Sequence, residues 1–298
     1  METLLFSLFI NGLVFSSMLF LFSVGLNLIF GYLGVLNMAH GSFYTLGVYT
    51  SMALITMTVL KGPLPIVSIF PLVLVAGVVV GLFGLAVEPI LLRRVYKSEH
   101  AVQLLLTYGL LLVIDDVCKI IWGLELYNVP EAYYFLGSVR VLDTAFPGYN
   151  LFILFSCFAL ALLLWIILYK TMFGRTARAI AEHREMVSTL GVNSPLFFTL
   201  IFVLGIVFAA WGGSITMPML GIFPGMGLDP LILSFIVITI GGLGSLKGAL
   251  IGSFVVGIIR SIGIGLFPEI DIAIIYLIMA VILLIRPSGL FGRKEIVW

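Results

Sequence analysis

The chain has 298 residues, of which 62% are hydrophobic and 10% are charged, and its formal net charge is +1. Soluble domains use apolar residues at about half of their positions and charged residues at about a quarter, so this composition excludes a soluble domain. The small net charge gives no indication of nucleic-acid binding, and we expect none. The composition instead predicts an all-α fold, a polytopic transmembrane helical bundle surrounded by membrane lipid.

Hydrophobic segments long enough to cross a membrane recur along the chain. A helix needs about 20 apolar residues to cross a hydrocarbon layer roughly 30 Å thick. The clearest segments are residues 4–30, 42–60, 65–92, 101–123, 150–169, 196–217 and 270–285. Residues 230–267 hold one or two more, interrupted by glycine. We therefore predict about eight to nine spans, some of them broken or re-entrant, in a single domain over residues 1–298.

The N-terminal segment is predicted to be the first span. No basic residue precedes its apolar run, and the run is too long for a signal peptide. Residues 32–47 (YLGVLNMAHGSFYTLG) then interrupt the apolar pattern with polar side chains, including Asn37, His40 and Ser42. Polar groups at membrane depth are costly unless they pair or face water. Two interpretations stay open: these residues tie neighbouring helices together, or they line a polar pathway.

Ionisable residues lie inside two of the predicted spans. In the fourth span, Asp115 and Asp116 precede Lys119 by four and three residues, so one helical face can neutralise itself. One aspartate is then left without a partner, and Arg260 is isolated in a later apolar run. We therefore expect these four residues to form one intramembrane charge cluster, in which Arg260 comes near Asp116. A proton relay is the alternative role.

The only long polar segment of the chain is residues 171–195. On a helix, three of its apolar residues share one face: Ile180, Val187 and Leu190. Three charged residues share another face: Arg178, Glu182 and Glu185. The pattern predicts a short amphipathic helix on the aqueous side of the membrane, which Gly191 and Asn193 end before Pro195 restarts the chain. A helix of this kind is typical of a surface presented to a partner.

The distribution of basic residues predicts the orientation. Ten of the 15 Lys and Arg residues lie in three groups: Arg93, Arg94 and Lys97; Lys170, Arg175, Arg178 and Arg184; Arg286, Arg293 and Lys294. Such groups mark the cytoplasmic side. Residues 125–150, which we expect to be external, hold three acids and one base: Glu125, Glu131, Asp143 and Arg140. The N-terminus is then outside and the C-terminus cytoplasmic, which requires an odd number of crossings or an additional re-entrant segment.

A glycine-rich stretch, GGLGSLKG over residues 241–248, is too polar and too flexible for an unbroken helix that faces lipid. We expect a bend there, buried in protein or lining a cavity. A phosphate-binding Walker loop requires Gly-Lys followed by Ser or Thr, whereas Lys247 lies between Leu and Gly, so the chain carries no visible ATP site. The two cysteines, Cys118 and Cys157, have no nearby histidine and predict neither a metal site nor a disulfide framework.

Four separated segments together resemble one family of membrane proteins. They are GLNLIFGYLGVLNMAHGSFYTLGVY (residues 25–49), TYGLLLVIDDVCKIIWG (107–123), AEHREMVSTLGVN (181–193) and GGLGSLKGALIG (241–252). In this order they resemble the LivH-type permeases of branched-chain amino-acid ABC importers. The resemblance covers nearly the whole chain, so it concerns the complete permease domain.

The resemblance implies a set of partners. A sister permease, or a second copy of this chain, would complete the translocation pathway, and two cytoplasmic ATPase subunits would bind ATP and Mg²⁺. A periplasmic or extracellular solute-binding protein would deliver the solute. The chain itself would then be no enzyme and hold no cofactor. The family also implies the inner (cytoplasmic) membrane of a prokaryote.

The resemblance further implies roles for particular residues. Residues 178–193 would be the coupling helix that meets the ATPase: Arg178, Glu182, Glu185 and Met186 on the helix, with Gly191 as the turn that aims it. The polar residues that line the translocation pathway would be Asn27, Asn37, His40 and Ser42. Leucine, isoleucine and valine are the first choice of solute. Urea and short amides are carried by very similar permeases, and no residue of the sequence decides between these solutes.

Two other functions compete with this hypothesis. The chain could act alone as an ion-coupled secondary transporter, using Asp115, Asp116 and Arg260 as ion or proton sites. It could also be an intramembrane serine protease, because His40 and a Gly-x-Ser at residues 212–214 provide two of the necessary groups. No third positioning group is evident, and hydroxyls in spans usually satisfy backbone carbonyls. The protease is therefore the weaker alternative.

Overall fold

A computed structural model describes residues 2–141 and 144–292, except for four side chains within helices: Glu2, Arg184, Glu185 and Ile272. Within these residues the helices are α1 (Glu2–Leu33), α2 (His40–Ile55), α3 (Ile69–Ile90), α4 (His100–Trp122), α5 (Glu131–Phe135), α6 (Tyr149–Lys170), α7 (Met172–Glu182), α8 (Arg184–Thr189), α9 (Ser194–Thr216), α10 (Leu228–Gly241), α11 (Leu246–Leu266) and α12 (Asp271–Ile285). The strands are β1 (Ser138–Val141) and β2 (Thr144–Pro147). Three residues of the orientation argument lie outside this description: Asp143, Arg293 and Lys294.

The expected all-α polytopic bundle is confirmed. Six helices are long and apolar enough to cross a membrane, namely α1, α2 with its π-helical extension Thr56–Leu60, α3, α6, α9 and α11. Helices α10 and α12 are shorter and also apolar, and α4 has the necessary length but carries three charges. The strands β1 and β2 add a small antiparallel hairpin, in which Ser138 pairs with Pro147. This hairpin lies in the loop predicted to be external.

The core of the bundle is formed by α1, α2 and α9, with α3 against α9 and α11 against α1. Every residue of α1 from 19 to 30 is buried. A helix that is apolar and buried on all sides lies inside a bundle. The backbones of α1 and α9 approach so closely that a Cβ at Gly25 would collide with the Gly205 carbonyl. Since lipid gives no hydrophobic force between helices, such close packing is an important source of their association.

Contacts between helix ends place the two described termini on opposite faces of the bundle. Near the start of α1, the Leu8 carbonyl accepts a hydrogen bond from Ser261 Oγ of α11. At the other end of α1, Gly31 lies against Gly244, and Gly242 lies against Gly292 close to the described C-terminus. We call these the hairpin face, where β1 and β2 lie, and the basic face.

The three basic groups lie together at the basic face, as far as they are described. Leu33 at the end of α1 packs against the same cluster as Tyr96, which follows Arg93 and Arg94, and as Ile180, which follows Arg178. Arg286 directly follows α12, close to the bend at Gly242. Counted with α4, α10 and α12, the described residues hold nine apolar helices. This number agrees with the predicted eight to nine spans.

Two helices begin inside the bundle instead of at a face. His40, the first residue of α2, donates from Nε2 to the carbonyl of Phe22, 3.0 Å away. Phe22 lies eleven residues before the end of α1, roughly 16 Å along the helix axis. Helix α10 begins at the same depth, because the Gly227 N–H donates to Thr45 Oγ1 at 3.1 Å. Residues 34–39 and 217–227 therefore interrupt the regular helices inside the bundle, in agreement with the expectation that some spans are broken.

The predicted bend at residues 241–248 joins α10 to α11 at the basic face. Gly242 and Gly244 adopt φ values of 100° and 77°, which favour glycine over residues with a side chain. Ser245 then begins α11 by accepting a hydrogen bond from the Gly248 N–H at 3.1 Å. The bend lies against α1, since Gly244 contacts Gly31.

Candidate functional site

A large cavity opens towards the hairpin face and encloses about 550 Å³. Its walls come from the first half of α1, from residues 219–230 and from α11, with Tyr133, Pro147 and Asn150 at the hairpin side. Its floor lies at Phe22 and at the hydroxyls of Tyr44 and Thr216, which are 2.7 Å apart. The floor coincides with the depth at which α2 and α10 begin. A solute entering here meets the interrupted helices directly.

Most of the cavity wall is apolar. The aliphatic, thioether and aromatic contributors include Val14, Met18, Leu19, Phe22, Met226 and Leu233. Two charged residues interrupt this wall, Asp229 in the first turn of α10 and Arg260 in α11. Ligand sites in proteins commonly combine an apolar lining with a few polar groups that orient the ligand. This cavity has that composition.

Arg260 does not join the predicted charge cluster. Its Nη2 lies 3.9 Å from Asp271 Oδ2, and its guanidinium lies 5.4 Å from the centre of the Phe15 ring. Asp116 instead pairs with Lys119, three residues away on the same helix face, at 2.8 Å. The expected pairing of Arg260 with Asp116 is therefore wrong. It fails because the i,i+3 partner is already within reach and α11 packs against α1, while α4 packs against α2.

Asp115 is buried, whereas its neighbour Asp116 is exposed. Asp115 accepts a hydrogen bond from Ser42 Oγ at 3.3 Å, and the same hydroxyl also lies 3.1 Å from the Leu111 carbonyl. This contact joins α4 to α2.

Cys118 and Cys157 are free and buried, and no group of three or more His, Cys, Asp or Glu with metal-binding geometry occurs among the described residues.

The four residues predicted to line the pathway are all buried. The Asn27 side chain donates to the Ser245 carbonyl at 2.9 Å and accepts from the Gly244 N–H at 2.8 Å, so it fastens α1 to the bend before α11. His40 and Ser42 make the interhelical hydrogen bonds described above. Asn37 has no partner for its amide among the described residues.

These contacts favour ties between helices over a lining role, because none of Asn27, Asn37, His40 and Ser42 belongs to the wall of the large cavity. Their participation in solute passage stays a prediction. Sequence reasoning missed Asp229, Tyr44 and Thr216 as lining residues. For Asp229 a signal existed, since an acid before Pro230 follows the glycine-rich run GIFPGMG of residues 221–227.

The coupling segment, residues 171–193, forms two helices instead of one. The helix is interrupted at His183, where φ is −142° and ψ is 70°, so α7 and α8 point in different directions. Ile180 and Val187 are buried against Phe198 of α9, as the amphipathic pattern predicts. Leu190 is 75% exposed, and its predicted place on the buried face is wrong. The break at His183 invalidates the continuous helical spacing on which that prediction depended.

Arg178 has a structural role within this segment. Its guanidinium donates to the Leu168 carbonyl and lies 5.0 Å from the centre of the Tyr169 ring, so it fastens α7 to the end of α6. Glu182 is exposed, and the Glu185 side chain lies outside the described residues. Gly191 has a φ of 82° and ends the segment as predicted.

The exposed surface of the coupling segment is partly apolar. Met186 in α8 is 62% exposed, and Leu190 follows it four residues later at 75%. Met172, at the start of α7, is also mostly exposed. Adjacent apolar side chains at a polar face of a protein are typical of a surface that a partner covers.

A buried carboxylate lies directly beneath the coupling segment. Glu88, at the end of α3, is inaccessible to solvent and receives two hydrogen bonds from Arg93, at 3.2 Å from Nε and 2.7 Å from Nη2. The hydroxyls of Tyr96 and Thr199 also donate to it. The hydrogen bond to Glu88 raises the pKa of Arg93 above its ordinary value. The Tyr96 ring packs edge-on against Phe198 at 5.6 Å, which connects this network to α8.

The family model described as the permease component of the branched-chain amino acid transport system matches residues 8–285. The chain belongs to this family. It is accordingly a multi-pass protein of the inner membrane and a permease component of ABC type. The match runs from the first half of α1 to the end of α12 and includes the cavity and the coupling segment.

Two relatives of this permease match nearly the whole chain, and a third matches 60% of it. The LivH permease of the high-affinity branched-chain amino acid system of Salmonella typhimurium is 26% identical over 296 residues, which is 96% of this chain and 95% of the relative. A probable LivH permease of Methanocaldococcus jannaschii is 30% identical over 298 residues, 95% of this chain and 91% of the relative. The NupQ permease of a guanosine ABC transporter from Bacillus subtilis is 26% identical over 60% of each chain. No solved structure matches.

Proposed function

We propose that this permease forms, with a sister permease or a second copy of itself, the translocation pathway of an ATP-binding-cassette importer for branched-chain amino acids. A solute-binding protein delivers the solute to the hairpin face, which is external. Two ATPase subunits bind the coupling segment at the basic face, which is cytoplasmic. The N-terminus is then outside and the C-terminus in the cytoplasm.

One observation carries the proposal: the cavity and the partly apolar coupling segment lie at opposite ends of the same two helices. Phe22 of α1 and Thr216 of α9 line the cavity. Leu33 of α1 and Phe198 of α9 pack on the coupling segment. A force applied at one end of a rigid, tightly packed helix is felt at the other. The arrangement suits an importer that is driven from its cytoplasmic face.

Coupling then depends on the contacts between α7, α8 and the core. Closure of the ATPase subunits displaces α7 and α8, and the buried side chains of Ile180 and Val187 transmit the displacement to Phe198. The Glu88 network holds the ends of α3 and α9 together, so both move as one unit. Packed helices have few alternative arrangements, which makes them suited to switching between outward-open and inward-open states.

The energy for transport comes from the partner subunits. The chain has no Walker sequence of its own, so ATP and Mg²⁺ bind the ATPase subunits. The chain itself forms part of the translocation pathway and is not an enzyme. The mostly apolar wall of the cavity suits an aliphatic side chain better than urea or a short amide, whose surface is largely polar.

The test is reconstitution in proteoliposomes with the solute-binding protein outside, on the side of the hairpin face, and ATP in the lumen, on the side of the basic face. We expect leucine, isoleucine and valine to accumulate only when ATP, both ATPase subunits and the complete permease pair are present. Vesicles that hold this chain alone are the control and should accumulate nothing. Accumulation by the chain alone, or accumulation that follows an ion gradient without ATP, would establish a secondary transporter instead.

A further inference from the structure

Two opposite charges lie in the apolar wall of the large cavity. Arg260 comes from α11 and Asp229 from the first turn of α10, and both line the cavity. No ion pair joins them to each other among the described residues. Charged side chains inside a membrane bundle are costly, and they commonly mark a pathway for a charged or polar solute. Their presence in one cavity requires an explanation.

The guanidinium of Arg260 has an N–H donor without a hydrogen-bond partner among the described residues. Its single ion-pair contact, to Asp271, is 3.9 Å long, which is beyond hydrogen-bond distance. Its Nε is buried and has no hydrogen-bond partner among the described residues. Guanidinium offers five N–H donors in a planar fork that matches a carboxylate with two parallel hydrogen bonds. A buried donor without a partner is therefore available for an anionic group in the cavity.

Asp229 is also available for a ligand. It has neither a hydrogen-bond nor an ion-pair partner among the described residues, although it lines the cavity. Its place in the first turn of α10 is favourable for a negative charge. The start of α10 is held in place by the hydrogen bond from Gly227 to Thr45 of α2. The carboxylate is thus carried on a rigid element.

We propose that Arg260 and Asp229 form a recognition site for a zwitterionic α-amino acid in the outward-facing cavity. Arg260 binds the α-carboxylate and Asp229 binds the α-ammonium group. The aliphatic side chain lies against the apolar wall at Met18, Phe22 and Leu233. This inference rests on the proposed function and deepens it, because it assigns solute selection to the permease as well as to the binding protein.

The charge pair also separates classes of solute. An α-amino acid carries a carboxylate and an ammonium on one carbon atom, so it can satisfy both residues at once. Urea, short amides and nucleosides carry neither charge and would leave Arg260 and Asp229 without a ligand partner. A site built to bind a polar group of its substrate rejects analogues that lack that group. The cavity therefore favours amino acids over the neutral solutes of related permeases.

The test uses the purified complex of this permease with its partner permease and ATPase subunits, without the solute-binding protein. Leucine binding to the complex in nanodiscs is measured by saturation-transfer NMR, with leucinamide and 4-methylpentanoate as probes that lack the carboxylate and the ammonium. In the wild type we expect leucine to bind most tightly. Arg260→Gln should weaken leucine binding about 10- to 100-fold and abolish its advantage over leucinamide. Asp229→Asn should abolish its advantage over 4-methylpentanoate.

Asp271→Asn provides the matched control. It removes the observed ion-pair partner of Arg260 with almost no change of shape, and Asp271 is not among the lining residues. We expect its leucine binding to stay within about twofold of the wild type, because the donors of Arg260 remain. If Asp271→Asn loses binding as fully as Arg260→Gln, Arg260 acts by fastening α11 to α12, and the proposed site is wrong.

Transport separates failure of the site from failure of the proposed function. If the complete wild-type importer accumulates leucine and Arg260→Gln accumulates it equally well, the site is wrong and the importer function stands. If the wild-type importer with its binding protein accumulates no amino acid, the importer function itself is wrong. Copurification of the ATPase subunits with Arg260→Gln confirms that the variant is folded and assembled.

Discussion

The cavity at the hairpin face and the coupling segment at the basic face are built in opposite ways. The cavity takes its wall from seven helices, the end of β2 and a loop, which are far apart in the sequence, whereas the coupling segment is a continuous stretch, residues 171–193. The cavity has two charged residues in an apolar wall, and the segment exposes apolar side chains at a polar face. The proposed partner surface can therefore be recognised in one stretch of sequence, while the proposed solute site requires the assembled fold.

Helices α1 and α9 contact both regions, so substitutions at the contact between these two helices should have the largest effect. Gly25→Leu places a side chain where the Gly205 carbonyl already lies. We expect a loss of more than about 3 kcal/mol of stability, since overpacking against backbone leaves no side chain that can move away. The measurement is thermal unfolding of the purified permease, followed by fluorescence-detected size exclusion.

Gly109→Leu is the control for that substitution. Gly109 lies in α4, and a Cβ there would meet nothing within 4 Å. We expect its unfolding temperature to match the wild type. Equal destabilisation by both variants would mean that glycine content in general, and not the contact between α1 and α9, stabilises the bundle.

The Glu88 network is expected to have the next largest effect. Arg93→Met leaves the fully buried carboxylate of Glu88 without its cation, and we expect about 2 kcal/mol of lost stability, a value reduced because Arg93 is partly exposed. Glu88→Gln should cost less, since Arg93 can turn to solvent. Thermal unfolding measures both.

Lys119→Met serves as the comparison for Arg93→Met, because its ion pair with Asp116 is exposed. Exposed ion pairs contribute little, so its unfolding temperature should be nearly unchanged. If Lys119→Met destabilises the permease as much as Arg93→Met, burial of the Glu88 carboxylate is not the cause of the effect.

The smallest effect on the permease itself is expected at the exposed apolar residues of the coupling segment. The double variant Met186→Ser, Leu190→Ser should leave the unfolding temperature nearly unchanged, because both side chains are mostly exposed. It should weaken binding of the ATPase subunits about tenfold, since it removes two apolar contacts from the docking surface. Quantitative copurification measures the change.

Met57→Ser is the matched control, since Met57 is 72% exposed and lies after α2, away from the coupling segment. It should leave ATPase binding unchanged. Unaltered ATPase binding by the double variant would show that the ATPase docks elsewhere on the basic face.

Most of the fold could be predicted from the sequence. Long apolar segments predict membrane helices because a hydrocarbon layer admits little else, and polar interruptions at residues 32–47 and 241–248 marked the places where helices break. The two errors at Leu190 and Arg260 have different causes. The spacing that placed Leu190 on the buried face assumed an unbroken helix, and the pairing of Arg260 with Asp116 assumed that buried charges of opposite sign find each other.

The sequence by itself determined the membrane environment, the helix content, the grouping of basic residues and the position of the coupling segment, because each depends on the local composition of consecutive residues. Only the tertiary structure decided which polar residues fasten helices, which line the cavity, and that Arg260 faces Asp271 and Phe15. The physical reason is that these roles depend on which helices pack together. Close packing of helices in a membrane is set by shape at many separated positions, which no single segment encodes.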